Sequence, residues 1–281
     1  RGMEFTLNTK NLTGEFSWSS NFNISFNKNK VLEVGVDGRP IYGSAANANN
    51  AFITKPGYPI ASFYGYKYIG VFQSEEELAK YPHLSGDKVG DGRYEDVNKD
   101  GVLDQNDKTI LGDNNPLFTA GFSNSFSYKN FTLDIQFTGS YGAEVFSFYK
   151  RMCGIYHGDR NGMIEQLGRW QSKDQPGDGI HFRPTRTPSG WQRDPSSAWV
   201  QDASYLRLRN LTLGYNFDQK VLDKMKMKGL RLYVTGQNLF TITNYVGYDP
   251  ETSSESGLAQ GGDYLGYPAA RSFIIGANIT F

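Results

Sequence analysis

Apolar and polar residues alternate along several stretches of the chain at period two, the signature of a strand with one apolar face. In FTLDIQFTGSY, residues 131–141, Phe131, Leu133, Ile135, Phe137 and Tyr141 share one face, while Thr132, Asp134, Gln136, Thr138 and Ser140 share the other. FSWSSNFNISFN (16–27) sets Phe16, Trp18, Phe22, Ile24 and Phe26 against serines and asparagines, and FTAGFSNSFSY (118–128) repeats the scheme. At the end of the chain, FIIGANITF brings Phe273, Ile275, Ala277, Ile279 and Phe281 to one side. Segments 205–217 and 230–242 read as two more strands, with a slip of phase near Arg209 and Asn210 that a β-bulge explains. Segment 3–9 brings the expected number of strands to seven. Their length, about 9–14 residues, exceeds the usual soluble strand of about 5–6 and matches a tilted membrane strand of about 9–11.

The connections fall into two classes. Those at 10–14, 129–130 and 218–229 are short, those at 28–116, 143–203 and 243–270 are long, and the two kinds alternate along the chain. An up-and-down barrel of the outer-membrane kind has this arrangement, with short periplasmic turns and long extracellular loops. The polar face is built from Ser, Thr, Asn and Gln more than from Lys and Glu, as a wet lumen requires. A secreted β-sandwich that binds carbohydrate is the competing architecture, since its strands alternate too. Seven strands cannot close a barrel of even strand number, and an open edge in lipid leaves backbone groups unpaired. Further strands are therefore expected upstream, in keeping with an N-terminus, RGMEFTLN, that has neither an initiator Met nor a signal peptide.

Composition narrows the function. The 281 residues carry 29 basic and 29 acidic side chains, so no surplus of positive charge is available for a phosphate backbone, and nucleic acid is not an expected partner. A mean hydropathy of −0.54 and the lack of a long apolar run argue against membrane helices but not against barrel strands. Cys153 is the single cysteine and reads as an ordinary thiol. The three histidines fit no metalloprotease spacing, and neither a nucleophile elbow nor a phosphate loop occurs. An enzyme is not expected.

Several motifs, in order, resemble one family. GDGRYEDVNKDGVLDQNDKTILGDNNPLFTAGFSNSFSYKNFTLDIQFTGSYG, SYLRLRNLTLGYNF, LRLYVTGQNLFTITNYVGYDPE and the closing RSFIIGANITF are similar to the C-terminal part of SusC/RagA-type TonB-dependent transporters of Bacteroidetes outer membranes. The resemblance extends over essentially the whole chain, residues 1–281. It implies an all-β fold: the C-terminal portion, about seven strands, of a transmembrane antiparallel barrel of roughly 22 strands, with the plug domain absent from this chain. It also implies multi-pass residence in the outer membrane among its lipids, and a SusD-like surface lipoprotein as partner. Import of a glycan or peptide follows, driven by TonB acting through the absent N-terminal part.

Three sets of residues are candidates for function. The loop DVNKDGVLDQND, 96–107, meets the EF-hand spacing with Asp96, Asn98, Asp100, the Val102 carbonyl, Asp104 and Asp107, and Gly101 at the bend, so a structural Ca²⁺ is expected in an extracellular loop. The flanks are not paired helices, and an Asx-rich turn without metal is the alternative. Trp170, Trp191, Trp199 and Tyr264 in the long loops are candidate substrate contacts, because aromatic faces beside polar groups suit sugar rings. Phe281, ending an alternating strand, resembles the C-terminal aromatic signal that the barrel-assembly machinery reads.

Overall fold

A computed structural model describes residues 1–45, 48–154, 161–185, 194–252 and 256–281. Its dominant feature is one antiparallel sheet of seven strands: β1 (Gly2–Leu12), β2 (Phe16–Asn27), β3 (Phe118–Tyr128), β4 (Phe131–Tyr141), β5 (Tyr205–Asn216), β6 (Gly229–Thr243) and β7 (Ser272–Thr280). Strand order in space equals order in sequence, as in an up-and-down wall. Each strand expected from the alternation is present. The phase slip in β5 is a bulge: pairing with β4 jumps from Leu208 to Asn210 and leaves Arg209 as the extra residue, and against β6 the same step also skips Asn238 and Leu239. No helix among the described residues is long and apolar enough to cross a membrane, which has no bearing on strands.

Register carries the apolar positions into rows. Leu7, Phe22, Phe122, Phe137, Leu208 and Phe240 lie side by side across β1 to β6. So do Trp18, Phe126, Leu133, Leu213, Val234 and Ile275 across β2 to β7. Most of this face is open, with Phe5 56%, Leu213 51% and Ile275 84% exposed. Aromatic rings gather at both ends of it. Phe26, Phe118 and Tyr141 stand at the long-loop end, and Phe16, Tyr128, Phe131 and Tyr215 at the short-turn end. Eleven residues at about 3.3 Å each span roughly 36 Å, which a tilt near 45° brings to roughly 25 Å, the height of the apolar band of an outer-membrane barrel.

The opposite face is a polar ladder. Ser17 and Ser127 share a hydrogen bond of 2.6 Å, the Ser125 hydroxyl donates to Asp134 at 2.6 Å, and Thr212 and Thr235 pair at 2.8 Å. Arg231 donates to Thr132 and lies 3.9 Å from Asp134.

The three long connections do not run separately over the surface. Strands Ile41–Ala45, Ala48–Thr54, Ser62–Gly65 and Thr109–Gly112 form a four-stranded sheet, and Tyr68–Val71 pairs with Gly92–Tyr94. Glu144–Ser147, from the second connection, pairs antiparallel with Val200–Asp202 and parallel with Gly262–Asp263 of the third. One core joins all three: Phe52 and Phe63 from the first, Phe146, Phe148, Phe182 and Trp199 from the second, and Ala259 from the third. Among the described residues, three short helices complete this layer and the turns: α1 (Glu75–Lys80), α2 (Phe148–Gly154) and α3 (Gln219–Met225), of which α3 lies in the 217–228 connection.

Candidate functional site

The 96–107 loop folds as a web of side-chain to backbone bonds. Asp96 accepts from the N–H groups of Lys99 (2.7 Å) and Gly101 (2.9 Å), Asn98 from Asp100 (3.0 Å), Asp100 from Val102 (2.9 Å), and Asp104 from Asn106 (2.7 Å). Gly101 turns the chain at φ +84°, a region that L side chains rarely adopt. Asp107 is fully buried and faces inward, one carboxylate oxygen accepting from Val97 and Asn98 and the other from Asp104. Asp104 and Asp107 thereby form a reciprocal capping box around the 3₁₀ turn Gln105–Asp107. Leu103 anchors the loop from behind, buried with Tyr66 and Tyr94.

As arranged, these side chains do not converge as a cation cage. Among the described residues, no group of three or more acidic, histidine or cysteine side chains is placed to hold a metal ion. Each carboxylate accepts from donors of its own turn, the pattern of an Asx-rich turn. Ligation by Asp96, Asn98 and Asp100 would require their side chains to rotate out of this web.

The four candidate aromatics have unlike fates. Trp199 corrects its expectation as a ligand contact: it is 3% exposed and packs edge-on to Phe182, 6.3 Å between ring centroids, inside the shared core. A buried ring has no face to offer a sugar. Trp170 is half-buried against Gly90, where a Cβ would come within 2.4 Å of its ring, so glycine at φ +90° is what lets the indole lie down. Tyr264 is 54% exposed, which leaves its ring accessible. Trp191 lies outside the described residues. Phe281 follows β7 and is exposed.

A cluster that the sequence reading missed sits where β5 meets the third long connection. Arg207 is 3% exposed and uses every arm of its guanidinium: Nε donates to Thr241 (2.9 Å), Nη1 to Glu251 (2.5 Å) and Nη2 to Asp249 (2.6 Å). Glu251 also receives Arg209 at 2.6 Å and the Tyr205 hydroxyl at 2.5 Å. The second oxygen of Asp249 accepts from the N–H of Ala269. Burial pushes the Asp249 carboxyl up, but its bonds from Arg207, Glu251 N–H and Ala269 N–H outweigh this and hold it below the usual carboxylate range. A second tie lies beside the first: the buried Tyr245 hydroxyl donates to Asp263, while Thr252 and the Gly266 N–H bond the other oxygen of Asp263. Arg207 and Arg209 in a strand whose other polar residues are Asn210, Thr212 and Asn216, with Asp-Pro-Glu past the next strand, were the available signal.

A strip of up-and-down barrel wall, apolar outside and polar inside, with a folded layer of long connections at one end, defines a part of a transmembrane barrel. Comparison with known proteins agrees. No family model matches the chain. Over its whole length it is 35% identical to TonB-dependent receptor P3 of Formosa agariphila, covering 28% of that protein, and 28% identical to TonB-dependent receptor SusC of Bacteroides thetaiotaomicron, covering 26%. Among solved structures it superposes on the RagAB peptide transporter with a TM-score of 0.78 at 20% identity, all of this chain against 29% of that one. On the RagAB peptide importer in its open-open state the TM-score is 0.68. The chain is thus homologous to TonB-dependent receptors, SusC among them, and its fold matches the C-terminal part of such a receptor's barrel. It spans less than a third of the length of the curated relatives it matches.

Proposed function

We propose that this chain is barrel wall of an outer-membrane, TonB-dependent importer that takes up an oligosaccharide or a peptide together with a SusD-like surface lipoprotein. The observation that carries the reading is the seven-stranded sheet itself, whose apolar rows are open on one face while its polar ladder is turned to the other. A soluble sandwich would bury the apolar face against a second sheet, and among the described residues no sheet covers it. The relatives are receptors and transporters, not enzymes. Extraction of the native protein from the outer-membrane fraction in mild detergent, with intact masses of every component, tests the reading. A polypeptide several times longer than this chain, arriving with a lipoprotein, is the expected result. A lone soluble species of this length would overturn it.

The long connections form the extracellular layer in this reading. Within it Tyr264 and the open edge of Trp170 are the proposed substrate contacts, and Trp170→Ala with Tyr264→Ala should weaken ligand affinity of the intact complex. Unchanged affinity removes both. Calcium at the 96–107 loop is likewise a proposal. Because the Asx bonds must be broken first, binding should be weak, with Kd on the order of 10⁻⁴–10⁻³ M as in extracellular calcium modules. Calorimetry on the folded protein should show a saturable heat that EDTA abolishes, and no heat at millimolar Ca²⁺ removes the cation.

Phe281 is proposed to be read by the barrel-assembly machinery. Deleting it should leave synthesis unchanged while the protein fails to reach the heat-modifiable, membrane-inserted form; normal insertion of the deletion rules this out.

A further inference from the structure

The apolar face of the sheet is not uniformly raised. One row in from the long-loop end, the outward residues on neighbouring strands β3 and β4 are Ala120 and Gly139, paired in register. Aromatic rings stand on both sides of this floor. Phe118 and Tyr141 form one wall, their rings 5.4 Å apart, and Phe122 and Phe137 form the other. The result is an apolar groove of about 500 Å³, within the range of about 300–1,000 Å³ typical of small-molecule sites. Leu206, 44% exposed, and Ile242, 63% exposed, continue it across β5 and β6. Its rim towards the loops is polar, with Asp202 and the exposed Asn244.

Two observations decide what can occupy this groove. It lies inside the belt bounded by the aromatic rings at the two strand ends, so what reaches it is hydrocarbon. It also lies on strands in the middle of the sheet, β2 to β6, so further strands added beyond β1 or β7 would not cover it. Gly139 keeps the floor low for a local reason: a Cβ there would come 3.0 Å from the Tyr205 carbonyl oxygen. A flexible chain laid between flat aromatic walls gains contact on three sides, whereas on the raised rows it touches only one.

We infer that this groove is a lipid site that holds one acyl chain of a lipid in the loop-side leaflet, with the lipid's polar end towards the Asp202 and Asn244 rim. The inference rests on the membrane reading proposed above. The test uses the full-length receptor in nanodiscs of phosphatidylcholine doped with a phosphatidylcholine that carries a diazirine on one acyl chain, with crosslinked peptides mapped by mass spectrometry. Label should concentrate several-fold on 118–122 and 137–141 relative to the lipid-facing row of Val234 and Ile275. Ala120→Phe, which fills the floor, should bring the groove down to the level of that row. Equal labelling of groove and row overturns the lipid site and leaves the membrane reading intact. A groove protected while Val234 and Ile275 react means that protein covers it, and also overturns the inference. Absence of label from both overturns the membrane reading, and the lipid site with it. The wild-type pattern alone distinguishes these outcomes, so the test stands if the variant fails to fold.

Discussion

Ile275→Arg is expected to destabilise the barrel in lipid by about 2–4 kcal/mol, the cost of a cationic side chain facing the middle of the bilayer. Ile275 sits near the centre of β7, is 84% exposed, and pairs with Val234 on the apolar face. Gln136→Arg places the same charge on the polar face, at an exposed position of β4 opposite Ser123 and Asn210, and should change stability by no more than about 0.5 kcal/mol. The measurement is the guanidinium midpoint of the full receptor refolded into phospholipid vesicles, followed by heat-modifiable mobility. The pair of substitutions decides between architectures. On the surface of a soluble protein, arginine in place of an exposed isoleucine is close to neutral and improves solubility. Equal effects of the two changes would therefore sink the membrane assignment, whereas a loss confined to Ile275 fixes which face of the sheet meets lipid.

The second large effect is expected at Arg207. Replacement by Ala leaves the buried Asp249 without its ion-pair partner, while Glu251 keeps Arg209 and Tyr205, and breaking such a buried pair costs about 3–5 kcal/mol. The loss should be local. Arg207 ties β5 to the 243–270 connection, so Arg207→Ala should expose that segment to proteolysis and fast amide exchange while the sheet stays protected. Replacing Arg207 and Asp249 together by apolar residues of similar volume should restore part of the stability, because no orphaned charge remains at that pair. The clamp also has a pH signature. The folded Asp249 carboxyl titrates below its unfolded value, so its contribution is fully present above the ordinary carboxylate pKa of about 3.9 and is lost as pH falls through the lower, folded value. Protection of the 243–270 segment should hence be flat from neutral pH to about 5 and fall only in stronger acid, and Asp249→Asn should abolish that fall. Protection that declines already between pH 7 and 5 would mean that another group holds the segment.

The interior of the 243–270 segment shows why both ties matter. Apart from Gly262–Asp263 it has no regular strand among its described residues, and its backbone is held by carboxylates placed at single points, Asp249 and Asp263. Its other anchors are the Gly262–Asp263 pairing and Ala259 in the shared core, so the stretch around Asp249 depends most on the Arg207 tie. This makes its response to Arg207→Ala steeper than that of the first connection, whose four-stranded sheet has pairing of its own.

What the sequence by itself determined was the wall. All seven long strands, their antiparallel order, the bulge at Arg209 and the side of the sheet that is apolar follow from residues two apart, because strand periodicity is a local property and neighbouring strands repeat it in register. The Asx loop was legible for the same reason, since its bonds join residues no more than 10 positions apart. Only the tertiary structure decided the rest. The short strands at 41–45, 62–65, 144–147 and 262–263 are too brief to show a period, and they pair across connections far apart in the chain. Trp199 looked like a ring free to meet ligand, and became core because Phe52, Phe146 and Phe182 from distant segments close around the same space. Arg207, which strand spacing does not single out, is the centre of a buried ion cluster because Asp249 and Glu251 fold back over it from about forty residues away. Contacts of that range are set by which segments share a volume, and spacing along the chain does not encode volume.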